Sequence, residues 1–176
     1  MESRLNQSYN DIIIICCHYI EIYVEDHVLF NYLLIINIDG ASRGNPGPAG
    51  IGIVIIKDNL RLAEYKEFIG KKTNNQAESS ALKKALQIAC TFDDEITVLS
   101  DSQLLVNQRN NRNKVRSKQL KIIFREISNL ERRFKMVIYK HTPRGKNEDA
   151  DLLANEAIDE HNNKYQNNIF LGYLYH

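Results

Sequence analysis

No tryptophan occurs in the chain, and cysteine occurs only three times, at Cys16, Cys17 and Cys90. An odd count with two adjacent thiols does not make a disulfide framework, and no Cys/His cluster has zinc-ligand spacing. A reducing cytoplasm is therefore the expected setting. Long apolar runs are missing too. Residues 12–24 (IIIICCHYIEIYV) are interrupted by His18 and Glu21 and fall short of the roughly 20 residues that a spanning helix needs. They also lack the basic flank and small-residue cleavage site of a signal peptide. No membrane partner is expected, and a soluble monomer is. Finally, neither sign of charge dominates: 23 Lys/Arg against 22 Asp/Glu leave a net charge of +1. The total excludes strongly acidic and strongly basic classes alike.

The distribution of charge is informative where the total is not. Residues 102–146 hold 13 Lys/Arg and only two acids, Glu126 and Glu131, a net charge of +11. The remainder is net acidic. Such asymmetry points to a polyanion-facing surface on a balanced protein.

With 176 residues and 43% hydrophobic composition, the chain can build one substantial core. Residues 1–32 form an N-terminal extension of unknown role, rich in Ile, Tyr and Val. From Leu33 the pattern is regular. Residues 33–39 (LLIINID) read as a strand buried on both faces. Residues 40–50 (GASRGNPGPAG) read as a Gly/Pro-rich loop. Strands follow at 51–57 and 60–69, joined by an Asp58-Asn59 turn. The apolar spacing predicts helices over 75–90, 102–108, 119–134 and 147–160, with strands at 96–100 and 136–141. The order β-β-β-α-β-α-α-β-α implies an α/β domain over 33–160 with a mixed sheet flanked by helices. The Asn-rich stretch 162–168 reads as a linker within a C-terminal tail, 161–176.

Four acids stand out by position. Asp39 and Asp101 each end an apolar strand, where a charge is expensive unless it is paired or metal-bound. In open α/β sheets, ligands collect beyond the carboxyl ends of strands. Glu78 and Asp151 fall in the first turns of helices. Four converging carboxylates would repel one another, so a divalent cation is needed to hold them. Hard oxygen ligands select Mg²⁺ or Mn²⁺. Two such ions about 4 Å apart are the usual device for phosphodiester hydrolysis. Each acid also has an ordinary reading. Asp39-Gly40 could be a turn. Glu78, three residues after Asn75, could complete a capping box. Asp101 could be an N-cap. Glu148, Asp149 and Asp151 could favour the positive end of the last helix.

The stretches IDGASRGNPGPAGIG (38–52), TNNQAESSAL (73–82), LSDSQLLVNQ (99–108) and HTPRGKNEDADLLANEA (141–157) carry more. On them, residues 34 to about 160 resemble type 1 ribonuclease H. The resemblance implies a ribonuclease H-like fold with a five-stranded mixed sheet. It implies endonucleolytic hydrolysis of the RNA strand of RNA–DNA hybrids by a two-metal-ion mechanism using Mg²⁺, with Mn²⁺ as a possible substitute, and products with 5′-phosphate and 3′-hydroxyl ends. Its metal-binding acids fall on Asp39, Glu78, Asp101 and Asp151. His141 matches a histidine that helps a proton or product leave. Gly40, Ser42, Asn45, Asn75, Glu78 and Gln103 match groups that read the 2′-hydroxyl, which distinguishes RNA from DNA. Thr73 and Asn74 match residues that grip DNA-strand phosphates.

One departure stands beside these matches. RNNRNK (109–114) replaces a Gly-x-aromatic-Lys turn found in many family members, and no tryptophan-bearing basic insertion is present. Two further motifs point elsewhere. Gly70-Lys71-Lys72-Thr73 lacks the earlier glycine of a phosphate-binding loop. Gln166-Asn167-Asn168-Ile169 with Tyr173 half-matches a sliding-clamp docking peptide, with Gly172 where an aromatic is wanted. The rival readings are a non-catalytic hybrid-binding module and a superfamily nuclease with another nucleic-acid target.

Overall fold

The computed structural model describes residues 34–164 with their side chains, the backbone of residues 165–174, and the strand segments 14–16, 19–24 and 27–30. The chain divides into two compact units, Met1–Tyr32 and Leu33–His176. In the first, β1 (Ile14–Cys16), β2 (Tyr19–Val24) and β3 (His27–Phe30) form an antiparallel three-stranded sheet.

The second unit opens with an antiparallel meander: β4 (Leu34–Ser42), β5 (Gly47–Lys57) and β6 (Leu60–Lys72). Asp58 and Asn59 make the β5–β6 turn with φ of 55° and 60°, the geometry of a tight hairpin. Helix α1 (Asn74–Ala89) then crosses to β7 (Glu95–Ser100), which lies parallel to β4. Helices α2 (Gln103–Arg109) and α3 (Lys118–Glu131) lead to β8 (Met136–His141), parallel to β7, and α4 (Glu148–Leu174) follows. The five strands lie in the order β6-β5-β4-β7-β8.

The alternation of β4 decides which side chain meets which layer. Leu34, Ile36 and Ile38 join Ile51, Ile53 and Ile55 of β5 in a core against Ala81, Leu82, Ala85 and Leu86 of α1. The small residues of α1 let the helix sit low on the sheet. At the upper end the approach is closest: a Cβ on Gly40 would lie 2.2 Å from the Glu78 amide nitrogen. Helix α4 packs on β5 in the same way. A Cβ on Gly52 would lie 2.1 Å from the Ala150 carbonyl oxygen, and one on Gly50 2.3 Å from that of Ala154. Backbone meets backbone at these points, which only glycine permits.

This packing corrects two sequence expectations. The stretch 40–50 is not a ten-residue loop. Gly40 pairs with Ile51 and Ser42 with Ala49, so only residues 43–46 turn the chain. The glycines that suggest a loop are strand residues lying under helices. Likewise residues 162–168 are not a linker but continue α4, which runs to Leu174. Asparagine costs a helix well under 1 kcal/mol relative to alanine, and neither Pro nor Gly interrupts the chain between Ile158 and Leu171. No helix among the described residues is long and apolar enough to cross a membrane.

Candidate active site

Strands β4 and β7 are parallel neighbours in which Ile38 pairs with Ser100. The next residues, Asp39 still within β4 and Asp101 just past the end of β7, therefore lie side by side. Helix α1 adds Glu78 from above the same edge. Oxygen atoms of Asp39, Glu78 and Asp101 all lie within 4.8 Å of one another.

The ordinary readings of these acids fail on the hydrogen bonds. Asp39 does not turn the chain; it pairs with Gly52 inside β4. Helix α1 is capped by Thr73, not Asn75. The Thr73 hydroxyl accepts from the Gln76 amide at 3.3 Å and the Gln76 side chain accepts from the Thr73 amide at 2.9 Å. Glu78 takes no part in that box. Helix α2 is capped by Ser102, whose hydroxyl accepts from the Leu105 amide, so Asp101 is not needed there either.

Burial and crowding set the electrostatics. Asp39 and Glu78 are each only 5% exposed. Burial first, and then repulsion by Asp101 and Asp151, push the Asp39 carboxyl from 3.8 up to about 7. Burial and then Asp39 and Asp101 push Glu78 well above the usual carboxylate range, against a partial offset from the Ser100 hydroxyl. Glu78 Oε2 is buried without a hydrogen-bond partner among the described residues. A buried acceptor with no donor, among acids that raise one another's protonation, is the environment that a cation relieves. The donor set is all oxygen and fits a hard divalent ion.

Asp151 stands apart from this trio. It lies close enough to raise Asp39, but its Oδ1 accepts from Arg144 Nη2 at 2.6 Å. The Arg144 side chain is 75% exposed and adds positive potential at the Asp39 and Asp101 carboxylates. His141 ends β8 opposite Ser100 and is exposed. It is not among the clustered ligand atoms.

The expected substrate-contact residues gather along the same edge. Gly40 lies under the α1 N-terminus. The Ser42 hydroxyl reaches the Lys72 carbonyl at 2.8 Å, tying β4 to β6. Asn45 Oδ1 accepts from the Asn74 amide at 3.2 Å, tying the β4–β5 turn to the start of α1. Asn74 and Asn75 are exposed in the first turn of α1. Gln103 is exposed at the start of α2, with its Nε2 3.0 Å from Asn107 Oδ1. The Thr73 hydroxyl oxygen accepts from the Gln76 amide in the helix cap, and its own O–H is the group that can donate to a phosphate.

The basic run needs one correction. Arg109 does not face a polyanion; its side chain is only 12% exposed and pairs with Glu131. Its guanidinium carbon lies 5.3 Å from the Phe124 ring centroid and 5.6 Å from that of Tyr139, and the Tyr139 hydroxyl also donates to Glu131. Arg112, Lys114, Arg116, Lys118, Lys121 and Arg125 are exposed.

Sequence reading missed Thr142 and Asn147, both buried. The Thr142 amide donates to the Ser100 carbonyl at 3.0 Å, and Asn147 Nδ2 donates to the Ile38 carbonyl at 2.9 Å. Neither has a periodicity or spacing signal, because each acts on backbone of a distant strand.

Comparison with known proteins agrees with this architecture. Residues 37–157 match the family described as reverse transcriptase-like. A ribonuclease HI of Halobacterium salinarum is 42% identical over 134 residues, covering 69% of this chain and 62% of its own length. A bifunctional protein of Mycobacterium tuberculosis is 41% identical over 129 residues, and there the chain spans only 35% of the relative's length. The crystal structure of the Halobacterium salinarum RNase H1 superposes with a TM-score of 0.70 at 41% identity, covering 72% of this chain and 98% of that one. LC11-RNase H1 in complex with an RNA/DNA hybrid also superposes at 0.70, with 42% identity over 72% of this chain and 97% of its own. By matched family, relatives and fold together, the chain belongs to the reverse transcriptase-like family as a type 1 ribonuclease H homologue.

Proposed function

We infer that the chain is an endonuclease that hydrolyses the RNA strand of RNA–DNA hybrids, using two Mg²⁺ ions and leaving 5′-phosphate and 3′-hydroxyl ends. One observation carries the chemistry: three carboxylates converge within 4.8 Å and one buried oxygen, Glu78 Oε2, has no donor among the described residues. The similar LC11-RNase H1, solved with an RNA/DNA hybrid, supports the choice of substrate.

Asp39, Glu78 and Asp101 would hold the ions, with Asp151 as the fourth ligand. Divalent ions in such a site supply an activated water and stabilise the leaving oxygen of an in-line displacement. The chain's own contribution is position and shape. The rigid edge built by Ser42–Lys72 and Asn45–Asn74 offers backbone and amide groups to a 2′-hydroxyl. His141, exposed at the end of β8, would carry a proton to or from solvent. Mn²⁺ is expected to substitute for Mg²⁺.

A panel of end-labelled hybrid, duplex DNA, single-stranded RNA and duplex RNA tests this in one buffer. Mg²⁺-dependent cutting of the hybrid's RNA strand is expected, with loss in Asp101→Asn. Robust cutting in EDTA would overturn the metal reading. Tight hybrid binding without turnover in Mg²⁺ or Mn²⁺ would favour a non-catalytic module instead.

A further inference from the structure

The segment from Thr142 to Asn147 is pinned at one end to the carboxyl end of β7 and at the other to the middle of β4. Its first residue takes the carbonyl of Ser100, directly before Asp101. Its last takes the carbonyl of Ile38, directly before Asp39. Thr142 and Asn147 are 6% and 1% exposed, whereas Pro143, Arg144, Gly145 and Lys146 between them are exposed.

The second pin also faces α4. The Asp151 amide donates to the Asn147 carbonyl at 3.1 Å in the first turn of that helix. A single residue thus holds β4 with its side chain and starts the helix that carries Asp151 with its backbone. The glycine–alanine packing of β5 on α4 sets how deep the helix lies. Gly52, which packs on Ala150, is the partner of Asp39 across β4 and β5, so that packing also holds α4 beside Asp39. The side-chain amide of Asn147 adds a hydrogen bond to β4 itself, one residue before Asp39. Its Oδ1 is buried without a partner among the described residues; what the group supplies is a donor to the Ile38 carbonyl.

We propose that Asn147 is a positioning residue that fixes Asp151 relative to Asp39, and that the strength of divalent-ion binding depends on it. The inference rests on the metal-site reading above. Outer partners that orient metal ligands typically change affinity or activity by about 10–100-fold when removed.

The test is Mn²⁺ binding by the full chain, read from the free-ion electron paramagnetic resonance signal. Wild type is compared with Asn147→Ala and with Asn147→Leu, which keeps the branched shape but donates nothing. Ile127→Val, a core change in α3, controls for loss of stability alone. Both Asn147 variants are expected to bind Mn²⁺ at least about tenfold more weakly, and the control within twofold of wild type. Under saturating metal, kcat is expected to fall with KM for the hybrid unchanged, because the substrate edge at Ser42 and Asn45 is untouched. Either folded variant with Mn²⁺ affinity within twofold of wild type overturns the inference while leaving the metal site standing. Wild-type protein that takes up no Mn²⁺ overturns both.

Discussion

Replacing Asp39 by Asn removes a charge that the metal-free fold holds at a disadvantage, so Asp39→Asn is expected to stabilise the protein while abolishing turnover. The Asp39 carboxyl titrates at about 7 in the folded chain against 3.8 as its ordinary value. A folded-state value raised in this way means that the native state binds more protons than the unfolded state between those two pH values. Stability contributed by the protonated form is complete below pH 3.8 and is lost as pH rises towards 7. At about 1.4 kcal/mol for each tenfold change in the constant, the full disadvantage is about 4 kcal/mol above pH 7 and roughly 1.5 kcal/mol at pH 5. The amide must itself find partners, so a net gain of about 1–3 kcal/mol at pH 8 is expected. For a chain of this length that is about 2–10 °C in Tm. The assay is thermal and urea unfolding in EDTA at pH 5 and pH 8, then with Mg²⁺ added. Asp39→Asn should exceed wild type at pH 8 in EDTA, and the gap should narrow at pH 5. Mg²⁺ should raise the wild-type Tm and leave the variant's nearly unchanged, by linkage of binding to folding. A variant less stable than wild type at pH 8 in EDTA would refute the account of the acid cluster.

Three further outcomes follow from the same geometry. Gly40→Ala puts a Cβ against the backbone of Ala77 and Glu78; a loss of about 3 kcal/mol in urea unfolding is expected, together with loss of hybrid cleavage as α1 moves. Glu131→Gln leaves the Arg109 guanidinium without its carboxylate partner and is expected to lower stability by about 2–3 kcal/mol, with Mn²⁺ affinity unchanged. Lys118→Ala with Lys121→Ala, on the exposed face of α3, is expected to weaken hybrid binding in Ca²⁺ and to reduce the salt slope of log K by up to about 2. An unchanged slope would remove these lysines from the nucleic-acid surface.

Much of the fold is legible because its strands and helices obey simple periodicities. β4 and β7 read as buried runs, α1 as a stripe of small residues, and the Asp58-Asn59 turn from its residue types. What misleads is composition without packing. Gly40, Gly50 and Gly52 look like loop glycines and are strand residues, because the reason for their size lies in α1 and α4, far away in sequence. The acids are visible from where they fall on strands and helices, but the ordinary readings of Glu78 and Asp101 could be dismissed only after Thr73 and Ser102 were seen to cap the helices, and that of Asp151 holds, since it lies in the first turn of α4. Asn147 was invisible for a related reason. Its partner is a carbonyl 109 residues away, and a carbonyl has no letter in the sequence.

The partly buried group of Arg109, Glu131 and Tyr139 has a consequence for how this protein can change. It anchors the end of α2, the end of α3 and β8 to one another. Asn110 adds a bond from its Nδ2 to the Tyr139 carbonyl at 3.1 Å. Between these abutments Val115 packs against the core and Ser117 caps α3, whereas Arg112, Asn113, Lys114, Arg116 and Lys118 are exposed and are not needed to hold the abutments in place. Their charges can be exchanged, added or removed while the carboxylates at the far edge keep their spacing. On the proposed function, grip on the hybrid and chemistry at the bond would be separately adjustable, and a library confined to residues 112, 113, 114, 116 and 118 would sample the first without disturbing the second.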